Sequence, residues 1–185
     1  MMSRKLLYKT PFLSIYESEK KFWYAERKNI DSVASLCFRK NKISSKTEFL
    51  ILYQPLPETK YKKSWTDPYP CPITGSTEEN EEYLTTAIRE TYEEGGIKVS
   101  ESDLKGYTRC IATTQMNETV HCYLFDVTNK KQEIPNGDGS IFEEVSFFEW
   151  KKEKELIDIL LCKTDYVCLS TLSTCYFLYL ANKDK

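Results

Sequence analysis

The stretch 78–94 constrains the fold of this chain more than any other part of the sequence. Its apolar side chains recur at positions i, i+3, i+4 and i+7, namely Leu84, Ala87, Ile88 and Thr91. This spacing predicts an α-helix with one face turned to a core. Gly95 and Gly96 follow at once and end the predicted helix.

Short β-rich runs lie on both sides of this helix. We predict strands at 33–38, 49–53, 104–111, 121–127 and 145–150, and two more with a turn near 18–21 within 6–28. Five prolines lie within 54–74 and exclude a regular helix there, so we expect a long ordered loop or an edge strand. Further helices are predicted at 151–161 and 165–180. The pattern predicts an α+β fold, an α/β/α sandwich with a mixed β-sheet and a small β extension at residues 1–30.

Length and charge exclude several classes of protein. The 185 residues suit one domain of ordinary size. Lys and Arg number 26 against 28 Asp and Glu, a balance that offers no basic surface for nucleic acid. The uncharged stretch 166–182 is shorter than the roughly 20 apolar residues of a membrane span. We therefore expect a buried C-terminal helix, with its Ser and Thr residues on the other side, and no membrane partner.

The cysteines and the first residues indicate a compartment. Seven cysteines occur without a C-x-x-C pair, which indicates reduced thiols rather than disulfides or a zinc site. No apolar run resembling a signal peptide occurs between Met1 and Pro11. Together these observations predict a cytoplasmic protein.

Three carboxylates share one side of the predicted helix. Glu90, Glu93 and Glu94 lie within an arc of about 100°, away from the apolar face. Like charges repel there, so the group is either a solvated acidic face or a site for a cation. Carboxylate oxygens suit Mg²⁺ or Mn²⁺, and a metal held in this way leaves room for substrate phosphates.

The same stretch resembles the Nudix box, G-x5-E-x7-R-E-U-x-E-E-x-G-U, where U is aliphatic. The matching residues are Gly75, Glu81, Arg89, Glu90, Glu93, Glu94, Gly96 and Ile97. The one departure is Thr91 at the first U position. The chain is therefore identified as a member of the Nudix hydrolase superfamily.

The N-terminal part is similar to the ADP-ribose pyrophosphatase branch of that superfamily. The similarity lies in Thr10-Pro-Phe-Leu-Ser-Ile, in Trp23-Tyr-Ala-Glu-Arg27 and in the strand that begins at Val33. The arginine that often follows the position of Gln54 is absent, and Cys71-Pro-Ile-Thr-Gly75 replaces the usual E-x-P-A-G. The resemblance implies an N-terminal extension (1–30), a Nudix domain (31–185) and a homodimer formed through the extension.

The resemblance also implies roles for residues of the box. Glu90, Glu93 and Glu94 are the expected ligands of Mg²⁺, with Mn²⁺ as an alternative, and the carbonyl of Thr74 or Gly75 is a further ligand. Arg89 orients the glutamates, and Glu81 stands at the helix start. The general base is Glu94 itself or one of the later residues Glu143 and Glu144.

The implied reaction is hydrolysis of a diphosphate linkage by metal-activated water. We expect the substrate to be ADP-ribose or a nucleotide sugar, with a nucleoside triphosphate pyrophosphohydrolase and a non-catalytic nucleotide sensor as alternatives. The aromatic residues that flank the proline-rich loop are candidates for stacking on the base: Trp65, Tyr69 and Tyr53. The single histidine, His121, is expected to have a structural role.

Overall fold

The computed structural model describes residues 4–55, 58–135, 143–165 and 167–183. In these ranges the strands are β1 (Arg4–Lys9), β2 (Leu13–Ser18), β3 (Trp23–Arg27), β4 (Ser32–Lys40), β5 (Thr47–Gln54), β6 (Tyr69–Cys71), β7 (Ile73–Ser76), β8 (Leu104–Ile111), β9 (Thr119–Asp126) and β10 (Phe147–Lys152). The α-helices are α1 (Tyr83–Glu93), α2 (Glu153–Leu160) and α3 (Ser170–Asn182). Short 3₁₀ turns form at Glu101–Asp103 and Glu143–Val145.

The main sheet is mixed and has seven strands. Its order is β10-β5-β4-β9-β8, with β6 beside β5 and β7 beside β4. β4 and β9 run parallel, and the other neighbouring strands run antiparallel. Strand β4 is buried along most of its length because it has neighbours on both edges. One of these edges is shared, since β7 pairs with the start of β4 and β5 with its end.

Helices cover both faces of this sheet. Alternate side chains of β4 point to opposite faces. Val33 and Cys37 pack with Ala87 of α1, whereas Leu36 and Phe38 pack with α2 and α3. The predicted α/β/α sandwich is therefore confirmed. No helix in the described part of the chain is both long and apolar enough to cross a membrane.

A separate sheet of three strands, β1-β2-β3, precedes the main sheet. The predicted turn joins β2 and β3, but a third strand, β1, was missed because a register shift between Leu6 and Tyr8 interrupts its alternation. Among the residues that the structure describes, only β3 joins this sheet to the main body by backbone hydrogen bonds. The Ala25 N–H donates to the Gln115 carbonyl at 2.7 Å, and the Asn117 N–H donates to the Ala25 carbonyl at 2.9 Å.

The helix α1 begins later than its apolar spacing predicts. Residues 78–82 form a turn in which Asn80 has a positive φ of 66° and the Glu81 carboxylate accepts the Glu78 N–H at 3.1 Å. A right-handed helix cannot run through this turn, because the positive φ of Asn80 lies outside the helical region. In the proline-rich segment, where we expected a long ordered loop or an edge strand, the chain has no helix or strand between Gln54 and Tyr69 in its described part, and two short strands, β6 and β7, follow.

The helix α3 also departs from its predicted start and orientation. It begins at Ser170 instead of 165. Thr171, expected on the polar side, is buried at 8% exposure, while Phe177, expected in the core, is 72% exposed. The remainder of the buried side agrees with the expected Leu and Tyr side, since it contains Leu172, Tyr176, Leu178 and Tyr179 together with Cys175.

Candidate active site

A cavity of about 1280 Å³ opens at the end of the main sheet. It lies where β4 begins at Ser32 and β5 ends at Gln54, and both residues line it. Helix α1 contributes carboxylates to one wall, and the first turn of α3 contributes to another. Because these helices cover opposite faces of the sheet, the cavity connects the two layers around the sheet's end.

Gly75 brings the sheet into direct contact with the carboxylate of Glu90. A Cβ atom at position 75 would lie 2.1 Å from Cδ of Glu90, well inside van der Waals contact. Thr74 and Gly75 of β7 line the same cavity as Glu90, Glu93 and Glu94. The residues that the box implies as metal ligands are therefore brought to one wall, and Gly75 is needed because any side chain would displace Glu90.

Arg89 ties the acidic residues of the box together. Its Nε and Nη2 atoms donate to the two carboxylate oxygens of Glu81, each at 3.0 Å. Its Nη1 atom donates to Glu90 at 2.9 Å and to Glu93 at 2.8 Å. The planar guanidinium fork suits several fixed acceptors at once, so Arg89 orients the glutamates from behind the cavity wall.

Burial and ion pairing shift these carboxyl groups in opposite directions. Desolvation raises the pKa of Glu90, although Arg89 opposes the shift. Hydrogen bonds from Arg89 lower the pKa of Glu81 to about 2. Within the described part of the chain, the charged residues that line the cavity are four glutamates and one arginine: Glu90, Glu93, Glu94, Glu118 and Arg27. The cavity is thus strongly acidic, which disfavours a phosphate ligand unless a cation accompanies it.

The donor chemistry of this wall fits a hard divalent cation. Three carboxylates and the backbone of Thr74 and Gly75 offer only oxygen atoms, the ligands that Mg²⁺ prefers. Within the described ranges, no three His, Cys, Asp or Glu side chains are already grouped closely enough to hold a metal ion. The wall therefore supplies suitable ligand atoms. Two of its three carboxylates, those of Glu90 and Glu93, accept hydrogen bonds from Arg89.

A second polar network, which the sequence did not predict, lines the cavity. Arg27 of β3 donates from Nη1 to Glu118 at 3.2 Å and from Nη2 to the hydroxyl of Ser76 at 2.5 Å. The Ser32 hydroxyl donates to the same Glu118 oxygen at 2.6 Å. In the sequence, Arg27 stood out only as the last residue of the Trp23–Arg27 motif. No sequence pattern pointed to Glu118, because its position depends on how β9 begins beside β4.

The predicted aromatic residues do not line the cavity. Tyr53 is 2% exposed within β5, Tyr69 is buried in β6, and Trp65 lies on an exposed loop. Their place is taken by Phe147, which lines the cavity and is 42% exposed. Its ring stacks on Tyr53 with centroids 4.9 Å apart, so the buried tyrosine supports an aromatic surface at the cavity.

The remaining candidates lie elsewhere. Glu144 is exposed and does not line the cavity, and the side chain of Glu143 lies outside the described residues. His121 stacks on Tyr83 with centroids 3.6 Å apart, and its Nδ1 atom hydrogen-bonds the Tyr107 hydroxyl at 2.8 Å. His121 does not line the cavity either. Of the two proposed bases whose side chains are described, Glu94 lines the cavity and Glu144 does not.

Comparison with known proteins identifies the family to which the chain is similar. The family model described as the NUDIX domain matches residues 31–166. The structure resembles an ADP compounds hydrolase, with a TM-score of 0.65 and 13% sequence identity over 98% of this chain and 92% of that one. A C. elegans Ap4A hydrolase gives a TM-score of 0.49 and 20% identity over 82% and 97% of the two chains. No curated protein sequence matches the chain.

Proposed function

The chain is a hydrolase that belongs to the Nudix family, and from this premise we propose that it cleaves the diphosphate linkage of a nucleoside diphosphate joined to another group. ADP-ribose or a nucleotide sugar is the proposed substrate class. The observation that carries this proposal is the presence of Arg27, from the N-terminal sheet, in the same cavity as the carboxylates of α1.

The size and lining of the cavity favour a substrate with two parts. About 1280 Å³ exceeds the 300–1000 Å³ typical of small-molecule sites. The carboxylate wall would suit the diphosphate once it holds a divalent cation, and the exposed ring of Phe147 offers a surface on which a base stacks. Arg27 provides a positive group between the Ser76 hydroxyl and Glu118, where it would contact the substrate or hold Glu118 in place.

The box residues have distinct tasks in this proposal. Glu90, Glu93, Glu94 and the Gly75 carbonyl would hold Mg²⁺ or Mn²⁺, which when bound activates water and offsets the charge of the diphosphate. Arg89 keeps Glu90 and Glu93 in place through its Nη1 atom. We assign the base to Glu94, since it lines the cavity, with Glu143 and Glu144 as alternatives.

A substrate panel tests the proposal. Purified protein is incubated with Mg²⁺ and ADP-ribose, nucleotide sugars or nucleoside triphosphates, and the products are separated by chromatography. We expect a nucleoside monophosphate and a phosphorylated partner fragment from the first two classes. Exclusive release of pyrophosphate from triphosphates would favour the alternative enzyme, and binding without turnover of any compound would favour a sensor.

A pair of variants checks the assigned metal wall. Glu93→Gln removes a charged ligand and should lower turnover by about 100-fold or more. Glu101→Gln, on an exposed 3₁₀ turn away from the cavity, is the matched control and should retain activity. Wild-type turnover in folded Glu93→Gln at saturating Mg²⁺ would contradict the role of Glu93.

We also propose three broader properties. The division at residue 30 separates the β1-β2-β3 sheet from the Nudix domain. Two chains form a homodimer through that sheet, because its apolar side chains lack cover in a single chain. A cytoplasmic location agrees with the seven cysteines, all of which are free thiols in the structure.

A further inference from the structure

Strand β8 forms a free edge of the main sheet. Among the described strands β9 is its only neighbour, so roughly half of its backbone N–H and C=O groups face away from the sheet. Its register with β9 is regular from Gly106 to Ile111, and this segment contains no proline. Native sheets commonly interrupt or cover such an edge. The edge of β8 instead keeps a continuous row of backbone groups with which another extended chain is able to pair.

A groove lies where this edge meets α3. Its volume is about 510 Å³, and within the described ranges all of its lining residues belong to β8 or α3. Thr108 lines it from the strand, whereas Ser173, Phe177 and Ala181 line it from the helix. Phe177 is 72% exposed although α3 carries no charged residue, so the groove offers apolar surface directly beside unpaired backbone.

Alternate side chains of β8 belong to different faces of the sheet. Thr108 and Cys110 are partly buried on the side that α3 covers. Lys105 and Arg109 are exposed on the other face. A strand added beside β8 has the same alternation, because residues directly across from each other share a face. Its side chain opposite Thr108 therefore enters the groove, and those opposite Lys105 and Arg109 lie on the other face.

The charges of β8 and α3 select the chemistry of the added strand. The described residues of these two elements include two basic side chains, Lys105 and Arg109, and no acidic one. Neither basic side chain forms an ion pair with a described residue. A second copy of β8, paired antiparallel about Tyr107, would set Lys105 opposite Arg109, and like charges in that position are destabilising. An acidic strand would instead pair with both.

We propose that the edge of β8 and the adjoining groove bind an extended acidic segment of a partner protein as an added strand. Two acidic residues of the segment, four positions apart, face Lys105 and Arg109, and the two apolar residues adjacent to them occupy the groove beside Phe177. In this mode of recognition backbone hydrogen bonds supply affinity and alternate side chains supply specificity. The groove and the catalytic cavity have no described lining residue in common, so the segment is a partner and not a substrate.

Blocked peptides of the pattern Thr-Glu-X-Thr-X-Glu-Thr, in which X is Ala, Val, Leu or Phe, are the probes. In an NMR titration of the full chain we expect saturable shifts of the β8 amide signals and slower hydrogen exchange at the free edge. The same peptides with Lys in place of Glu control for charge. They should bind at least about 10-fold more weakly, since attraction becomes repulsion.

Paired variants test the two basic residues. The double variant Lys105→Gln/Arg109→Gln should weaken binding of the acidic peptides about 5-fold, because two exposed ion pairs are lost. The double variant Lys42→Gln/Lys46→Gln removes the same charge from the exposed loop after β4 and should bind as the wild-type protein does. Equal effects of the two double variants would show attraction to net charge alone and would overturn the site.

Methylation of peptide amides separates strand addition from other contacts. Methyl groups on alternate amides along one edge of the peptide should abolish binding, whereas the same number along the other edge should have little effect, because only one edge faces β8. Phe177→Ser should weaken binding about 5-fold through the loss of apolar contact in the groove. Ile43→Ser, at an exposed position remote from the groove, should not change binding.

Several outcomes would overturn the proposal. One is the absence of β8 shifts with all of the acidic peptides at millimolar concentration, and another is the same response to methylation of either peptide edge. Shifts of the β8 amides that grow with protein concentration, without any peptide, would identify a second copy of this chain as the occupant and would refute an acidic partner.

Discussion

At the scale of single residues, the two fixed glycines of the box are required for different reasons. Gly75 leaves space for the carboxyl end of a flexible side chain, Glu90. Gly96 has a positive φ of 68°, and a Cβ there would lie 2.1 Å from the carbonyl oxygen of Glu133. One glycine therefore positions a reactive group, whereas the other permits the chain to turn after α1.

This difference predicts that alanine mainly lowers activity at one position and mainly lowers stability at the other. Gly75→Ala should lower turnover at least about 10-fold with little loss of stability, because the Glu90 side chain is able to move away. Gly96→Ala should lower the free energy of unfolding by at least about 1–2 kcal/mol, since alanine disfavours the left-handed conformation and meets rigid backbone. Urea unfolding and turnover per folded molecule measure the two effects. Equal stability losses would contradict this account.

A second prediction concerns the contribution of Glu81 to the stability of the protein at acid pH. Its folded-state pKa is about 2, below the ordinary 4.5, so the ion pair with Arg89 contributes stability above pH 4.5. That contribution is lost as pH falls from about 4.5 to 2. Glu81→Gln should therefore flatten the decline in stability across this range. Urea unfolding without metal at pH 5, 4 and 3 tests it, and parallel curves for the two proteins would refute it.

At the scale of elements, β3 connects the N-terminal sheet to the cavity. The Arg27–Glu118 contact joins residues 91 positions apart and lies beside the backbone bonds of Ala25. Replacing Arg27 by Met leaves the buried Glu118 with Ser32 as its remaining hydrogen-bond partner among those described.

We therefore expect Arg27→Met to lower the free energy of unfolding by about 1–3 kcal/mol and to raise KM. Lys28→Met, an exposed neighbour, is the control for loss of charge and should change neither quantity. The double variant Arg27→Met/Glu118→Gln should recover part of the lost stability, because the uncompensated carboxylate is gone. An additive double variant would argue against a direct interaction.

Local patterns predicted the elements better than their boundaries or contacts. The β-rich run at 104–111 predicted the bounds of β8, Leu104–Ile111, which pairs with β9 along its length. The predicted start of α1 was wrong because Asn80 adopts a positive φ, which interrupts the helical backbone before Tyr83. The box identified one wall of the cavity, but no local pattern showed that Glu118 and Thr171 would complete it.

At the scale of the whole molecule, the proposed homodimer is argued from the N-terminal sheet. Its exposed apolar side chains include Leu6, Tyr8, Phe12, Phe22 and Trp23, of which Phe12 is 80% exposed. A sheet of three strands needs a covered apolar face for stability, and a single chain covers little of this one.

We expect sedimentation to show a dimer at tens of micromolar. Phe12→Ser should shift the population toward monomer, whereas Ile43→Ser, on an exposed loop of the main domain, should not. A monomer in the wild-type protein at that concentration would contradict the proposed assembly.

The position of α3 in the chain has a consequence for protein synthesis. Ala34 and Cys175 meet in the core although 141 positions separate them, and α3 is translated after every other element described. Until α3 emerges from the ribosome, the apolar face that includes Phe38 and Phe49 stays uncovered and prone to aggregation. A nascent chain thus completes its carboxylate wall early, but it gains a closed core and a whole binding cleft only in one late step.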